Sequence, residues 1–365
     1  MKNNEWLGMP EYINQKRKDA EITATFKFRN KQDYEKFKEL AKKHIYDNQK
    51  VFDGYQTKTK KQAWYPLLPK GSKYRWVDSA KPHNPRFPIY IVSKGRWQRN
   101  PTSRELMSMN VPFKMIVEQE RLLVLPQEYK DNYDTFWDDD DERTGAGAAR
   151  NFAWQHSIDN GYDWHWVMDD NIESFERLNK NLKVKCTSGT PFRIMEDFVL
   201  RYKNIGQAGL NYSFFCPAYD SRPPFITNTR IYSCLLQRND LPFRWRGRYN
   251  EDTDLSLRIM EAGWVTVQFN CFLQGKRATQ TVRGGNSKEF YDNEGTYNKS
   301  KMLEELQPKY AKVVWKFNRW HHQVDYSPFK KNKLIRKDDV DIALEESNNY
   351  GLELRGISEW QRHKR

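Results

Sequence analysis

Cysteine is scarce. The 365-residue chain has four, Cys186, Cys216, Cys234 and Cys271, far apart and without a Cys-x-x-Cys pair. That argues against a zinc site or a disulfide framework and favours a reducing cytosol. No apolar run is long enough to span a bilayer, and Met1-Lys2-Asn3-Asn4-Glu5-Trp6 lacks the apolar stretch of a signal peptide. Acid is in deficit too: 48 Asp and Glu stand against 62 Lys and Arg, for a net charge of +14 and a pI near 9.4. Such a surplus implies a polyanionic partner, nucleic acid foremost, or serves solubility alone. Hydrophobic content of 38% beside 30% charged residues suits a soluble globular protein. Aromatics are abundant, at 15% with 13 Trp, and aromatics both build cores and stack on bases.

The length allows one large domain plus a smaller one. Residues 1–80 read as a small α+β module. Residues 21–28 alternate like a strand, and 32–45 place Tyr34, Phe37, Leu40 and Ala41 at helical spacing. Between Gly54 and Val77 six Lys/Arg occur with no acid, and Trp64, Tyr65, Tyr74 and Trp76 lie among them. That mixture suits a nucleic-acid face, or a basic loop packing its aromatics on the next domain.

Residues 81–88 form a proline-rich linker. From 81 to 336 strands alternate with helices, predicting a largely parallel sheet covered on both faces. Residues 89–92, 113–117, 122–125, 214–218, 230–236 and 264–269 read as strands. Thr102-Ser103-Arg104-Glu105 has capping-box spacing. Leu255, Leu257, Ile259 and Met260 predict a helix ending near Gly263. The aspartate run at 138–141 reads as a solvated loop. Residues 337–365 read as a charged tail or peripheral helix.

Three elements carry chemistry. The apolar run 162–168 ends in Asp169-Asp170-Asn171. Two carboxylates and an amide at a strand end offer oxygen ligands to Mg²⁺ or Mn²⁺, where open α/β sheets bind ligands. A polar loop start would look the same. Gly145-Ala146-Gly147-Ala148-Ala149-Arg150-Asn151 precedes it by one helix and suits phosphate approach, although as a lone glycine pattern it is weak. Asn250-Glu251-Asp252 opens a later helix. Its acids either complement the helix dipole or hold a carboxylate ready to accept a proton. Near the end, residues 309–337 carry nine Lys/Arg and one acid, with Trp315, Phe317, Trp320, Tyr326 and Phe329 interleaved and His321-His322 central.

Together these pieces resemble glycosyltransferases of the GT-A fold. Trp6-Leu7-Gly8-Met9-Pro10-Glu11-Tyr12, Ile91-Val92-Ser93-Lys94-Gly95-Arg96, the stretch from Arg246 to Arg258 and the stretch from Arg319 to Tyr326 further resemble the TET-associated glycosyltransferases of bacteriophages. The similarity runs over most of residues 1–336.

The resemblance implies a GT-A-type α/β domain and transfer from a UDP-sugar to 5-hydroxymethylcytosine in double-stranded phage DNA. It also implies protection from host nucleases, a location in the cytoplasm of the infected bacterium and no membrane partner. It implies Mn²⁺ or Mg²⁺ held by Asp169, Asp170 and His322. Donor binding would fall to Ser93, Lys94, Gly95, Arg96, Arg150, Asn151, Asp169, Asp170, Asn171 and a loop at Gly284, Gly285 and Asn286. Asp252 would be the base, with Glu251 as competitor, and direct action on the acceptor would imply inversion. Candidate DNA contacts are Lys60, Lys61, Trp64, Arg244, Arg246, Arg248, Arg319, Lys330 and Lys331. Rival readings are a GT-A enzyme acting on a glycan or protein, a nucleotidyltransferase, and a non-catalytic DNA-binding module.

Overall fold

A computed structural model of the chain describes residues 4–14, 26–42, 71–94, 98, 100–117, 123–124, 146–247, 249–276, 295–316, 318–340 and 347–358. The strands are β1 (Tyr74–Asp78), β2 (Ile89–Val92), β3 (Lys114–Val117), β4 (Leu123–Val124), β5 (Trp164–Asp169), β6 (Ile172–Asn179), β7 (Leu182–Lys185), β8 (Ile205–Tyr212), β9 (Phe225–Thr227), β10 (Cys234–Arg238), β11 (Val265–Lys276), β12 (Ala311–Lys316), β13 (Arg319–Val324) and β14 (Leu352–Gly356). The helices are α1 (Lys31–Lys42), α2 (Pro101–Ser108), α3 (Ala146–Asp159), α4 (Thr190–Val199), α5 (Glu251–Glu261) and α6 (Gly295–Leu306).

A ten-stranded sheet runs β4-β3-β2-β5-β10-β8-β11-β6-β7, with β9 against β11. Its two faces are built by alternation. Ile89, Ile91, Trp164, Trp166 and Met168 enter one core, with α4 and its Phe192 and Phe198. Tyr90, Val92 and Val167 enter the other, with Trp154 of α3 and Leu255 and Ile259 of α5. A period of two on a strand buried from both sides produces that division.

The sheet is mixed rather than mostly parallel. β2, β3, β4 and β5 run parallel, as do β8 and β11, but β10 is antiparallel to both β5 and β8, and β6 to β11. The parallel set nonetheless shares one carboxyl edge, which brings Ser93, Asp169, Tyr212 and Lys276 to the same end.

Several expected elements differ. Residues 214–218 do not extend a strand: Ser213–Phe215 form a 3-10 turn, Phe214 and Phe215 are exposed, and Pro217 lacks an amide for a ladder. β10 begins at Cys234 rather than near 230, because Ser233 turns left-handed with φ 64°. α2 is capped by Asn100, whose side chain accepts from the Ser103 amide, with Pro101 at its first position, rather than by the Thr102 box. β11 runs on past Phe269 to Lys276. The helices expected at 32–45 and before Gly263 form as α1 and α5. Of the strand expected at 21–28, residues 21–25 lie outside the described residues.

Parts of the expected N-terminal module and tail join the main body. Trp6 packs on Phe198, Phe225 and Phe269 at ring-centroid distances of 5.4, 5.9 and 6.2 Å. β1 pairs with β14, and Leu352 is buried in the same core. Buried Arg177 joins the two ends: it stacks 4.0 Å over Trp76, donates to the Glu11 carbonyl at 2.9 Å and to Asn349 Oδ1 at 2.7 Å. Apolar Trp and Leu at the ends of a basic chain gain more by joining an existing core than by building a small one. No helix among the described residues is long and apolar enough to cross a membrane.

Candidate active site

β5 delivers Asp169 to the carboxyl edge of the sheet. Thr102 at the start of α2 fixes the turn that follows: its hydroxyl donates to the Asp169 carbonyl at 2.6 Å and accepts from the Ile172 amide at 2.9 Å. The Asp169 amide donates to the Ser233 carbonyl at 2.8 Å. The turn is therefore held on two sides, and its side chains have defined directions.

Both carboxylate oxygens of Asp169 meet cations. Lys276 Nζ, at the end of β11, lies 2.7 Å from Oδ2, and Arg150 Nη2, on α3, lies 2.8 Å from Oδ1. Burial works against ionisation here, but Lys276 and Arg150 together hold the carboxyl well below the usual range. Lys276 also donates to Ser233 Oγ at 2.9 Å, and Ser233 Oγ shares a 2.6 Å hydrogen bond with Tyr212. Burial opposes the Lys276 charge, yet Asp169 raises its pKa.

Arg150 reaches the second acidic element as well, through an ion pair from Nη1 to Glu251. The residue is 3% exposed, and its guanidinium lies 4.8 Å over the Trp245 ring. α5 begins where Asn250 turns left-handed with φ 51°, placing Glu251 and Asp252 in the first turn. Burial lifts the Glu251 carboxyl above its ordinary value against the pull of Arg150. Glu251 is thus tied to a structural cation. One Asp252 oxygen accepts from the Thr253 amide at 2.7 Å. Asp252 also acts electrostatically on Arg230, Tyr232, His322 and Tyr326.

Those four residues line a cavity of about 360 Å³. His322 Nε2 lies 3.2 Å from Arg230 Nη1. A guanidinium only donates, so Nε2 is the unprotonated nitrogen. Burial, then Arg230, pushes the imidazole down to about 4. A larger cavity, of about 640 Å³, opens at the opposite end of β5, lined by Trp164, Arg238 and Arg244. Neither acidic element lines it; Arg244, a candidate DNA contact, does, and is exposed.

The expected donor residues divide. Asp170, 4% exposed, accepts from Ser93 Oγ at 2.8 Å, so these two lie at the same edge as Asp169. Asn151 does not face this site: its side chain brackets the Trp245 backbone with bonds of 2.9 and 2.8 Å. Gly95, Arg96, Gly284, Gly285 and Asn286 lie outside the described residues, as does the 138–141 run. Lys60, Lys61, Trp64 and Arg248 lie outside them too. Arg246, its side chain 30% exposed, forms a two-pronged bond with buried Asp254, at 3.0 and 3.1 Å. Arg319, Lys330 and Lys331 are exposed, and Trp315 and Trp320 beside Arg319 are 57% and 38% exposed.

No group of three His, Cys, Asp or Glu side chains among the described residues is placed to hold a metal, and His322 turns its free nitrogen to Arg230. The turn itself still fits a hard cation. Asn171 Oδ1 is buried without a hydrogen-bond partner beside the two carboxylates, and Mg²⁺ typically takes one or two carboxylates and completes its shell with water and substrate phosphate.

Lys276, Arg230 and Tyr232 are absent from the sequence-derived site. No curated protein matches the chain. The family model of the TET-Associated Glycosyltransferases matches residues 87–285. The matched segment covers more than half of the chain and holds β2, both acidic elements and Lys276. The chain belongs to the TET-associated glycosyltransferase family.

Proposed function

We propose that the chain transfers a sugar from a UDP-sugar to the hydroxymethyl group of 5-hydroxymethylcytosine in double-stranded phage DNA, shielding that DNA from host nucleases. One observation carries the reading: the ion-pair chain Lys276–Asp169–Arg150–Glu251 links the end of β5 to the start of the helix bearing Asp252. Such a chain supports the reading because glycosyl transfer needs donor and acceptor groups at a fixed separation.

The acceptor oxygen attacks the anomeric carbon, the bond from that carbon to the diphosphate breaks, and the acceptor proton passes to Asp252. A single enzyme carboxylate acting on the acceptor gives inversion. Glu251 is the weaker candidate base because Arg150 already occupies it. Negative charge grows on the departing UDP, and Lys276 and Arg150 are cations near the carboxyl edge of the sheet that would offset it. Asp169, Asp170 and Asn171 would hold Mg²⁺ or Mn²⁺, which when bound supplies further Lewis-acid neutralisation. The surplus of 14 positive charges and the exposed Arg319, Lys330 and Lys331 suit a DNA backbone.

The test is incubation of hydroxymethylated duplex DNA with a panel of UDP-sugars, followed by analysis of released UDP and of digested nucleosides. Release of UDP together with a heavier hydroxymethylcytidine is expected. Release of pyrophosphate from nucleoside triphosphates, with no UDP from any sugar donor, would overturn the reading in favour of nucleotidyl transfer.

A further inference from the structure

The cavity beside Asp252 has no counterpart among the donor residues. Its volume of about 360 Å³ falls at the small end of the roughly 300–1,000 Å³ typical of ligand sites. A duplex cannot enter such a space; one nucleotide can. Its walls mix ring faces with a few polar groups. Tyr232 and Tyr326 supply aromatic surface, Phe215 stands at its edge, and Arg230, Gln268 and His322 supply polar atoms.

An aromatic path leads in from the surface. Phe214 and Phe215 are 61% and 44% exposed, an unusual state for adjacent phenyl rings. Phe214 stacks on Tyr212 with centroids 5.2 Å apart and planes within 17°. Tyr212 in turn packs 4.5 Å from Tyr232 inside the cavity. At the inner end the buried Tyr326 hydroxyl has no well-formed hydrogen bond, although the Arg230 backbone acts on it weakly. A buried hydroxyl without a good partner is costly unless a ligand completes it.

We infer that this cavity receives the acceptor base after it has left the DNA stack, with Phe214 and Phe215 as the wedge that takes its place. The inference rests on the proposed transfer to a DNA base. It adds that the base is rotated out rather than met in the major groove. A pyrimidine suits the groups present: Arg230 donates to a ring carbonyl, Gln268 accepts from an exocyclic amine, and Tyr232 offers a stacking face. His322 turns Nε2 to the Arg230 guanidinium at 3.2 Å and accepts from it, so the wall it forms is an acceptor beside Arg230. Ser256 ties the first turn of α5 to the cavity wall, donating to the Asp252 carbonyl at 2.9 Å and accepting at 3.1 Å from the amide of Ile231, which lies between Arg230 and Tyr232; a hydroxymethyl group on such a base would face Asp252. In intact B-DNA the same group sits in the major groove, where the hydroxyl would have to reach Asp252 past the cavity rim.

The test uses the full chain and a duplex oligonucleotide carrying one 5-hydroxymethylcytosine with 2-aminopurine as its neighbour. Binding should raise the 2-aminopurine fluorescence severalfold as its stacking partner departs, and Phe215→Ala should remove most of that rise. A mismatch opposite the target should tighten binding about tenfold, because less pairing is broken. Tyr326→Phe should raise KM for the duplex about tenfold while leaving thermal stability equal or higher, since the hydroxyl has no well-formed hydrogen bond to lose. Glycosylation of the duplex with no fluorescence rise and no mismatch effect would overturn the flipped-base site and leave the proposed transfer standing. A duplex that no UDP-sugar modifies would overturn the transfer itself, and the site with it.

Discussion

Lys276 Nζ lies 2.7 Å from Asp169 Oδ2 and joins the ends of two strands that are far apart in sequence. The lysine side chain is 11% exposed and the aspartate 24%, so solvent screens the pair only in part. Replacing Lys276 by Met leaves Asp169 with Arg150 alone. The expected cost is about 1–3 kcal/mol of stability, read as a lower urea midpoint, together with loss of transfer. An unchanged midpoint would show that the pair contributes no net stability.

Asp170 and His322 separate two views of the metal. Asp170→Ala should weaken Mn²⁺ binding by at least about tenfold in calorimetry, because a ligating carboxylate is lost. His322→Ala should leave Mn²⁺ affinity unchanged, since Nε2 already faces Arg230. A drop in metal affinity for His322→Ala would restore the three-ligand shell.

Glu196 gives a pH dependence with a defined sign. Its carboxyl is fully buried and accepts from Trp166 Nε1 at 2.9 Å and from the Arg86 and Phe87 amides at 2.7 and 3.3 Å. Burial outweighs these donors and pushes it up to about 7 from an ordinary 4.5. The folded chain therefore holds a proton that the unfolded chain releases between those values. Stability from this group is present below about 4.5 and falls as pH rises to about 7. Glu196→Gln should flatten the thermal midpoint over that range, and a profile identical to the parent chain would contradict the assignment.

Basic residues should divide by their partners. Neutralising Arg319, Lys330 and Lys331 together should reduce the slope of log affinity for DNA against log salt by up to about 3. Arg246→Ala should instead lower stability, because Asp254 is fully buried and accepts from Arg246 as well as from Arg258 and Gln307. A change in salt slope for Arg246→Ala, without a change in stability, would reassign it to the DNA face.

The two acidic elements of the candidate site are legible in the sequence because their signals are local. An apolar strand closing on Asp169-Asp170-Asn171, and acids opening a helix at Glu251 and Asp252, need only nearest-neighbour reasoning. Lys276 is not legible because β11 hides its length. Asn270 and Gln274 are wholly buried polar residues that interrupt the apolar pattern, and Gln274 is accommodated by bonds to the Leu210 and Tyr232 carbonyls. The cavity escapes for a related reason: Arg230 and His322 meet across 92 positions. At the chain ends, Trp6 and Trp76 resemble residues of a small module. Their partners Phe198 and Arg177 lie more than a hundred positions away, where no periodicity reports them.

The central claim is that Asp252 receives the acceptor proton while the Asp169 end holds the donor. Nucleoside mass spectrometry of hydroxymethylated duplex DNA, run side by side with the parent chain and Asp252→Asn, tests it most directly when UDP-sugar affinity is measured on the same preparations. Loss of the general base should slow sugar addition by about 10²–10⁴-fold with donor affinity retained. Sugar addition by Asp252→Asn at the parental rate would contradict the account.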